Sequence, residues 1–159
     1  MATVTLREIS TETDWDSVMG LRLGPGQDRY VNPIDDIRLE AAEEARAMPR
    51  PWAIHDGESG QLVGFVMISD NIPEPMDDDL VGPYYLWKLL IDVGRQRRGY
   101  GRATLDAVVD YVRGRPDAET LFTSAAPGDA SPYPYYLAYG FEDTGRVMWG
   151  ENVLALRLG

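Results

Sequence analysis

The chain has 159 residues, of which 44% are hydrophobic and 26% charged, so we expect one globular domain, residues 1–159, with a single core. It lacks cysteine, which excludes disulfides, thiolate catalysis and Cys-based zinc sites, and its net charge of −11 disfavours nucleic acid and favours a cationic partner. No apolar run approaches the ~20 residues that span a bilayer, and the amino end resembles no signal peptide, so we expect a cytoplasmic protein with no membrane contact.

The amino-terminal part of the chain predicts a strand followed by two helices. Residues 3–9 alternate apolar and polar side chains, as a half-buried strand does. Thr11 or Thr13 offers an N-cap for a short helix. A second helix is expected to start near Pro33 and to end before Pro49.

A hairpin is expected next, because residues 51–55 and 61–69 are apolar runs on either side of a loop that contains two glycines. The single histidine, His55, lies beside this turn. It has neither a second histidine nor a triad partner nearby, and catalytic groups need oriented partners, so we interpret it as structural.

Two clusters of carboxylates are candidates for contact with a cation. One lies on the second helix, and the other, Asp77–Asp79, lies in a polar loop over residues 70–83. The loop lacks the spaced ligands of a calcium site, so we predict no metal there. We interpret both clusters as solvated; the alternatives are a cleft wall for the first and capture of a polyamine's distal ammonium for the second. The first cluster consists of Asp35, Asp36, Glu40, Glu43 and Glu44.

The centre of the chain predicts a buried strand, a basic turn and a helix. Residues 85–91 are too apolar for a surface strand, and Gly99 and Gly101 follow after the turn. Arg113 and Gly114 then supply a cation and a C-cap that end the helix. One apolar helix face is formed by Leu105, Val108, Val109 and Val112.

The carboxyl-terminal part adds three strands and a short helix. Residues 120–124 predict a strand, and a helix starts at Ser131-Pro132 and ends at Gly140. Residues 141–147 and 152–158 predict a closing hairpin. The chain therefore has mixed α/β character, with about seven strands and four helices.

The glycines between strand and helix predict a phosphate site. The first amides of a helix have no partner within it and carry partial positive charge, and glycine lets a diphosphate approach them. Four arginines between residues 95 and 102 form a basic island in this acidic chain. A P-loop would need a lysine after the glycines, and a dinucleotide fingerprint would need glycine where the chain has Thr104, so both alternatives are weak.

Two segments resemble a known family. Gln96-x-x-Gly99-x-Gly101, between a strand and a helix, resembles the pyrophosphate-binding motif of GNAT N-acetyltransferases. Tyr136-x-x-x-Gly140-Phe141 resembles a second segment of that family, at a similar distance downstream. The resemblance runs from about residue 4 to residue 158 and implies a mixed, mostly antiparallel central sheet.

The resemblance implies that acetyl-CoA is the cosubstrate, that a primary amine is the acceptor and that no metal is needed. Backbone groups of Ile91 and Val93 would then pair with the pantetheine arm. Asp129 stands where many members have asparagine, and it would lie near the cofactor. The pyrophosphate would be bound by the amides of Arg98, Gly99, Tyr100, Gly101, Arg102 and Ala103.

The resemblance also selects Tyr136 as the acid that protonates the departing thiolate. A tyrosine with a pKa of about 10 is a proton donor at neutral pH. Tyr133, Tyr135 and Tyr139 compete for this role, but the spacing to Gly140 selects Tyr136. The base is not assigned: the central strand offers Lys88 and Asp92, and we favour water relayed by acids of the cleft.

The acceptor is expected to be a small cationic amine. The strand over residues 85–92 and the loop over residues 127–132 resemble those of bacterial spermidine and diamine acetyltransferases. Trp52, Trp87 or Tyr84 would add cation–π contacts. The alternatives are acetylation of an aminoglycoside-like antibiotic and a non-catalytic acyl-CoA sensor. Family habit suggests a homodimer.

Overall fold

The computed structural model describes residues 2–22, 33–128 and 131–159. Within these ranges seven strands form one sheet: β1 Val4–Glu8, β2 Pro49–Asp56, β3 Leu62–Asp70, β4 Tyr84–Ile91, β5 Thr120–Ala125, β6 Glu142–Met148 and β7 Glu151–Arg157. Their order across the sheet is β1-β2-β3-β4-β5-β7-β6, and every neighbouring pair is antiparallel except β4 and β5. The predicted fold class is confirmed.

The four helices of the described residues are α1 Glu12–Val18, α2 Ile34–Glu43, α3 Tyr100–Arg113 and α4 Tyr133–Tyr139. Thr11, one of the two predicted caps, starts α1: its hydroxyl accepts from the Asp14 N–H at 3.1 Å, and the Asp14 carboxylate accepts from the Thr11 N–H at 3.1 Å. The end of α2 is followed by a short 3-10 turn, Ala45–Ala47, and β2 then begins at Pro49, two residues earlier than predicted.

The sheet has a hydrophobic core on each face. The predicted apolar stripe of α3 is buried on one face together with Tyr136 and Phe141. On the other face, Val18 of α1 and Ile34 and Ile37 of α2 pack on side chains of β2 and β3. The alternation of β2 and β3 thus supplies both cores, because successive side chains of a strand point to opposite faces.

One buried carboxylate ties the far end of α3 to the sheet. Asp70, at the end of β3, is only 4% exposed and accepts hydrogen bonds from Arg50, Arg115 and Tyr111. Burial alone would raise the pKa of Asp70, but these three donors outweigh it and lower the pKa. The cluster fixes α3 against β2 and β3 at the end remote from Gly99.

The parallel pair β4 and β5 is joined over only two positions, Tyr85 with Phe122 and Leu86 with Thr123. Met67 of β3 pairs with Lys88 of β4, but the next residue, Ile68, pairs with Leu86. Trp87 is therefore an extra, unpaired residue in β4, a β-bulge. Such a bulge bends and twists its strand. The second half of β4 therefore parts from β5 and leaves a cleft between them.

Candidate active site

Two cavities meet where β4 and β5 part. The first, the α3 cavity, has a volume of about 480 Å³ and lies between the end of β4, the start of α3 and α4. The second, the acidic cavity, has a volume of about 340 Å³ and lies between α2, β4, the end of β5 and the β6–β7 turn. Both are lined by Trp87, Lys88, Ser124 and Pro132, so a molecule in one cavity can contact a molecule in the other.

The floor of the α3 cavity is the first turn of α3. Gly99 is its N-cap, with φ of +88°, a left-handed conformation that glycine adopts without strain. The Ala103 N–H donates to the Gly99 carbonyl at 3.0 Å, so the amides without a partner inside the helix are those of residues 99–102. A Cβ on Gly101 would lie 2.8 Å from the Tyr135 hydroxyl. The turn is therefore shaped for an anion, and α4 packs directly over it.

The structure brings together most of the cofactor-binding residues that the sequence predicts. Val93 is not among the lining residues, and its N–H already donates to the Arg22 carbonyl at 2.9 Å. A contact from Val93 would have to use its carbonyl. Ala103 and Arg98 are also outside the lining: the Ala103 amide is engaged in the helix, and Arg98 is exposed. Asp129 lies outside the described residues. The predicted residues that line the α3 cavity are Ile91, Gly99, Tyr100, Gly101 and Arg102.

Residues 87–91 of β4 form one wall of the α3 cavity. The Ile91 carbonyl accepts from the Gln96 side chain at 2.9 Å, which holds the basic turn against the end of the strand. Past Leu86, β4 has no pairing with β5. This edge of β4 is suited to an extended chain with amide groups, in the way that a strand edge binds a peptide.

The acidic cavity combines carboxylates with aromatic rings. Of the three aromatic residues that the sequence suggested for cation–π contacts, only Trp87 lines it. Trp52 is 6% exposed and stacks edge-on against Tyr111, with ring centres 5.0 Å apart. Tyr84 is fully buried, and its hydroxyl donates to the Pro116 carbonyl. The aromatic and acidic lining residues are Tyr85, Trp87, Trp149, Glu40, Glu44, Asp79 and Glu151.

The geometry separates the four competing tyrosines of α4 into two pairs. The Tyr133 hydroxyl donates to Asp143 at 2.8 Å, and the Tyr139 hydroxyl donates to Asp106 at 2.7 Å. Neither of these tyrosines lines the α3 cavity. Tyr135 and Tyr136 both do, so the choice of the acid narrows to these two.

The sequence profile of the Acetyltransferase (GNAT) family matches residues 15–141. The chain belongs to the GNAT family. It is therefore an acyltransferase of a family that uses acetyl-CoA. The seven-stranded, mostly antiparallel sheet with its four helices is the GNAT fold.

Among its relatives, the spermine/spermidine N(1)-acetyltransferase of Bacillus subtilis (strain 168) is 24% identical over 149 residues, which cover 93% of this chain and 95% of that protein. The spermidine/spermine N-acetyltransferase SpeG from Vibrio cholerae, solved in complex with manganese ions, has a TM-score of 0.62 at 14% identity, covering 98% and 93% of the two chains. AtaTR bound with AcCoA has a TM-score of 0.64 at 16% identity, covering 98% and 94%. The two structural matches show likeness of fold.

Tyr136 has the environment of a tyrosine that stays protonated. It is 6% exposed, and its ring packs edge-on against Phe141, with centres 5.4 Å apart. Burial raises the pKa of Tyr136 above its ordinary value, with smaller contributions from Tyr85, Tyr135 and Glu151, while its hydrogen bond with Thr123 acts in the opposite direction. Tyr136 therefore keeps its proton throughout the neutral range.

The two residues of the central strand considered as bases are both engaged in other contacts. Lys88 forms an ion pair with Glu40, with 3.3 Å between Nζ and Oε2. Asp92 accepts from the Arg22 N–H at 2.8 Å and from the Gly94 N–H at 3.1 Å, and it caps the 3-10 turn that leads to the basic loop. Burial opposes ionisation of Asp92, but these bonds outweigh it and lower the pKa. Asp92 is thus a structural acceptor.

Both carboxylate clusters contribute residues to the acidic cavity, and Arg46 joins the two clusters by ion pairs. Glu40 of α2 and Glu44, the C-cap of that helix, line the cavity, while Asp35 and Asp36 are exposed. Arg46 binds Glu44, Asp77 and Asp79. The first turn of α2 is therefore solvated, whereas its carboxyl end lies at the wall of the cavity; that this wall binds a cation stays a prediction. Capture of an ammonium by the loop carboxylates stays a prediction.

The β6–β7 turn is a part of the site that sequence reasoning missed. Trp149 has φ of +54° and Gly150 of +75°, the left-handed pair of a tight hairpin turn. Asparagine or glycine usually occupies the first position, and a tryptophan held there is strained. The ring lies 6.1 Å from Tyr85, edge-on, and is 56% exposed at the rim of the acidic cavity. A tryptophan followed by glycine between two strands was the available signal.

Among the described residues, no three histidine or acidic side chains are grouped so as to hold a metal ion. None of the helices over these residues combines the length and the apolar character that a membrane crossing requires.

Proposed function

We propose that this chain transfers the acetyl group of acetyl-CoA to a primary amine of a small polycation such as spermidine or spermine. The observation that carries the proposal is the acidic, aromatic cavity that opens onto the α3 cavity beside Tyr136. A cavity with excess negative charge and π faces favours alkylammonium groups over neutral or anionic acceptors.

The charges of the acidic cavity support a cationic acceptor. Lys88 is paired with Glu40, and Arg46 is paired with Glu44 and Asp79. These two cations face four lining carboxylates, the fourth being Glu151, so the cavity carries an excess of negative charge. Two cations against four carboxylates leave two negative charges in excess, which two ammonium groups of a polyamine would offset.

The coenzyme would occupy the α3 cavity. The amides of residues 99–102 and the basic side chains around them would bind the pyrophosphate. The amides of the pantetheine arm would lie along β4 up to Ile91, where the parting of the strands leaves the edge of β4 unpaired with β5. The thioester would then reach the junction of the cavities, near Tyr136 and Ser124.

The reaction needs only proton transfers from the protein. The acceptor ammonium loses one proton and its nitrogen attacks the thioester carbonyl, forming a carbon–nitrogen bond. The nitrogen gives up a second proton as the carbon–sulfur bond breaks, and Tyr136 donates its proton to the departing thiolate. One of the two protons lost by the nitrogen then returns through solvent to Tyr136. The products are the acetamide, CoA and one released proton.

The relatives point in the same direction. The Bacillus relative is named for spermine and spermidine, and it aligns over nearly the whole of both chains. A structural neighbour is likewise named a spermidine/spermine N-acetyltransferase. These names are consistent with the acidic cavity.

The test is a panel of amines with acetyl-CoA, followed by the release of free CoA thiol. Spermidine and spermine should be turned over, aminoglycosides and a lysine-containing peptide should not, and KM for the polyamines should rise with salt, since screening weakens their attraction to the cavity. Robust turnover of an aminoglycoside with none of either polyamine would overturn the proposed acceptor. CoA binding without turnover of any amine would indicate a sensor.

A further inference from the structure

Three side chains form a hydrogen-bonded chain at the junction of the two cavities. The Ser124 hydroxyl donates to Glu151 Oε1 at 2.5 Å. The Tyr85 hydroxyl lies 2.5 Å from the same serine oxygen, and because the serine proton is directed at Glu151, Tyr85 donates to Ser124. Ser124 lines both cavities, whereas Glu151 and Tyr85 line the acidic one. The chain thus runs from the acceptor side to the place where the thioester would react.

Glu151 differs from the other acids of the acidic cavity. Glu40, Glu44 and Asp79 each face an arginine or lysine, as described above. Over the described ranges, Glu151 forms no ion pair, and its hydrogen-bond donor is the neutral hydroxyl of Ser124. Of the four carboxylates that line the acidic cavity, Glu151 is therefore the one whose negative charge no cationic side chain of the described residues offsets.

Glu151 also lies close enough to Tyr136 for the two to interact electrostatically. The negative charge of Glu151 is one of the smaller causes, after burial, that keep Tyr136 protonated. Acid–base catalysis needs a protonated acid and an ionised base, in different environments, on two sides of the reacting centre. Tyr136 and Glu151 would provide such a pair. Lys88 and Asp92 lack this placement, because each is held by another partner.

We infer that Glu151 is the general base of the reaction and that it accepts the proton of the acceptor ammonium directly or through the Ser124 hydroxyl. This inference rests on the proposed function. When Ser124 relays the proton, it passes its own proton to Glu151 and takes the one leaving the nitrogen, so the serine ends unchanged. Protonated Glu151 then returns its proton to solvent at the open rim beside Trp149.

Several other titratable and polar groups lie around Glu151. Tyr85 and Tyr136 are protonated neighbours, and burial raises the pKa of both. Ser124 is neutral. The charged groups that line the same cavity are Glu40, Glu44, Arg46, Asp79 and Lys88.

The experiment compares Glu151→Gln with Glu142→Gln in the spermidine assay, each over a range of pH. Glu142 lies on the neighbouring strand, is exposed and has no place in either cavity, so its variant removes the same charge from the same hairpin. General-base catalysis contributes about 100-fold or more, so kcat of E151Q should fall by at least that factor at neutral pH. E142Q should keep the kcat of the unchanged protein.

The pH profile separates a base from a structural anchor. Without a base, the ammonium must lose its proton to water or hydroxide, so log kcat/KM of E151Q should rise steadily with pH towards the amine pKa of about 10.4. The unchanged protein should level off at lower pH. If Glu151 only held Ser124 in place, its loss would lower activity by the same factor at every pH and would leave the shape of the profile unchanged. That result would overturn the inference.

Two further measurements keep the test decisive. Glu151→Asp retains a carboxylate, so it should keep the profile with a plateau and lose less activity than E151Q; equal losses for both variants would overturn the base. Calorimetric CoA affinity should be unchanged in all three variants. If the unchanged protein turns over spermidine while E151Q keeps kcat within about twofold, only this inference fails. If the unchanged protein turns over no amine, the proposed function fails with it.

Discussion

Replacing Tyr136 with phenylalanine removes one hydroxyl from the site and leaves the ring in place. The ring is 6% exposed and packs on Phe141, and phenylalanine fills the same space. The change in stability should therefore come from the lost hydrogen bond with Thr123. Such a bond contributes about 0.5–1.5 kcal/mol, and for a domain of this size each kcal/mol shifts Tm by about 2–4 °C. The variant should fold.

The effect of Tyr136→Phe on catalysis should be much larger. General-acid catalysis contributes about 10²–10⁴-fold, which corresponds to about 2.7–5.4 kcal/mol in activation free energy. The amides of residues 99–102 and the edge of β4 are untouched, so CoA affinity should stay nearly the same. We thus expect kcat to fall by at least about 100-fold with little change in coenzyme binding.

The assay is CoA thiol release with spermidine at neutral pH, beside calorimetric titration with CoA. Tyr133→Phe is the matched control, because it removes a hydroxyl from the same helix that donates to exposed Asp143. Tyr135→Phe tests the second tyrosine of the cavity. If Tyr136→Phe keeps its turnover, or if Tyr135→Phe loses turnover in its place, the assignment of the acid to Tyr136 is wrong.

Three other predictions concern the turn, the rim and the fold. Gly101→Ala should weaken CoA binding about tenfold or more in calorimetry with little loss of Tm, because the new methyl group enters the cavity near the movable Tyr135 hydroxyl. Trp149→Ala should raise KM for spermidine about two- to fivefold and spare kcat, as expected for one exposed cation–π contact. Asp70 has a lowered pKa, so its stabilisation is present above pH ~3.9 and is lost as the pH falls through its folded value. Asp70→Asn should therefore lower Tm by several degrees at neutral pH and by progressively less in acid, and an equal loss at every pH would contradict this.

The sequence was sufficient for most of the helices and strands and for the turn proposed to bind the coenzyme, because the information there is local. Alternation and helical spacing predicted the strands and α3, and Gly99 and Gly101 predicted where the chain turns into α3. The register of that turn was less certain: the sequence assigned an amide to Ala103, but Gly99 proved to be the cap, and the Ala103 N–H is spent on the first helical bond. One residue of shift decides which amides are available.

The contacts around the acidic cavity could not be predicted from the sequence, because they join residues that are distant along the chain. Glu151 and Ser124 are 27 residues apart, and only the pairing of β5 with β7 brings them together. Arg46 meets Asp77 and Asp79 across more than 30 residues. No periodicity or motif predicts contacts between residues so far apart. The sequence therefore indicated an acidic cleft but not which of its carboxylates form ion pairs with arginine or lysine.

The narrow junction between β4 and β5 has a practical consequence. Two register positions hold the halves of the sheet together there, against six between β5 and β7. A coenzyme arm lying along β4 would act as a removable strand that completes the sheet, so amides 87–91 should exchange hydrogen more slowly once CoA is added. A ligand at 100 times its Kd stabilises by about 2.7 kcal/mol. The melting temperature would then report how far CoA occupies the α3 cavity. A thermal-shift assay could therefore rank coenzyme analogues before the acceptor amine is known.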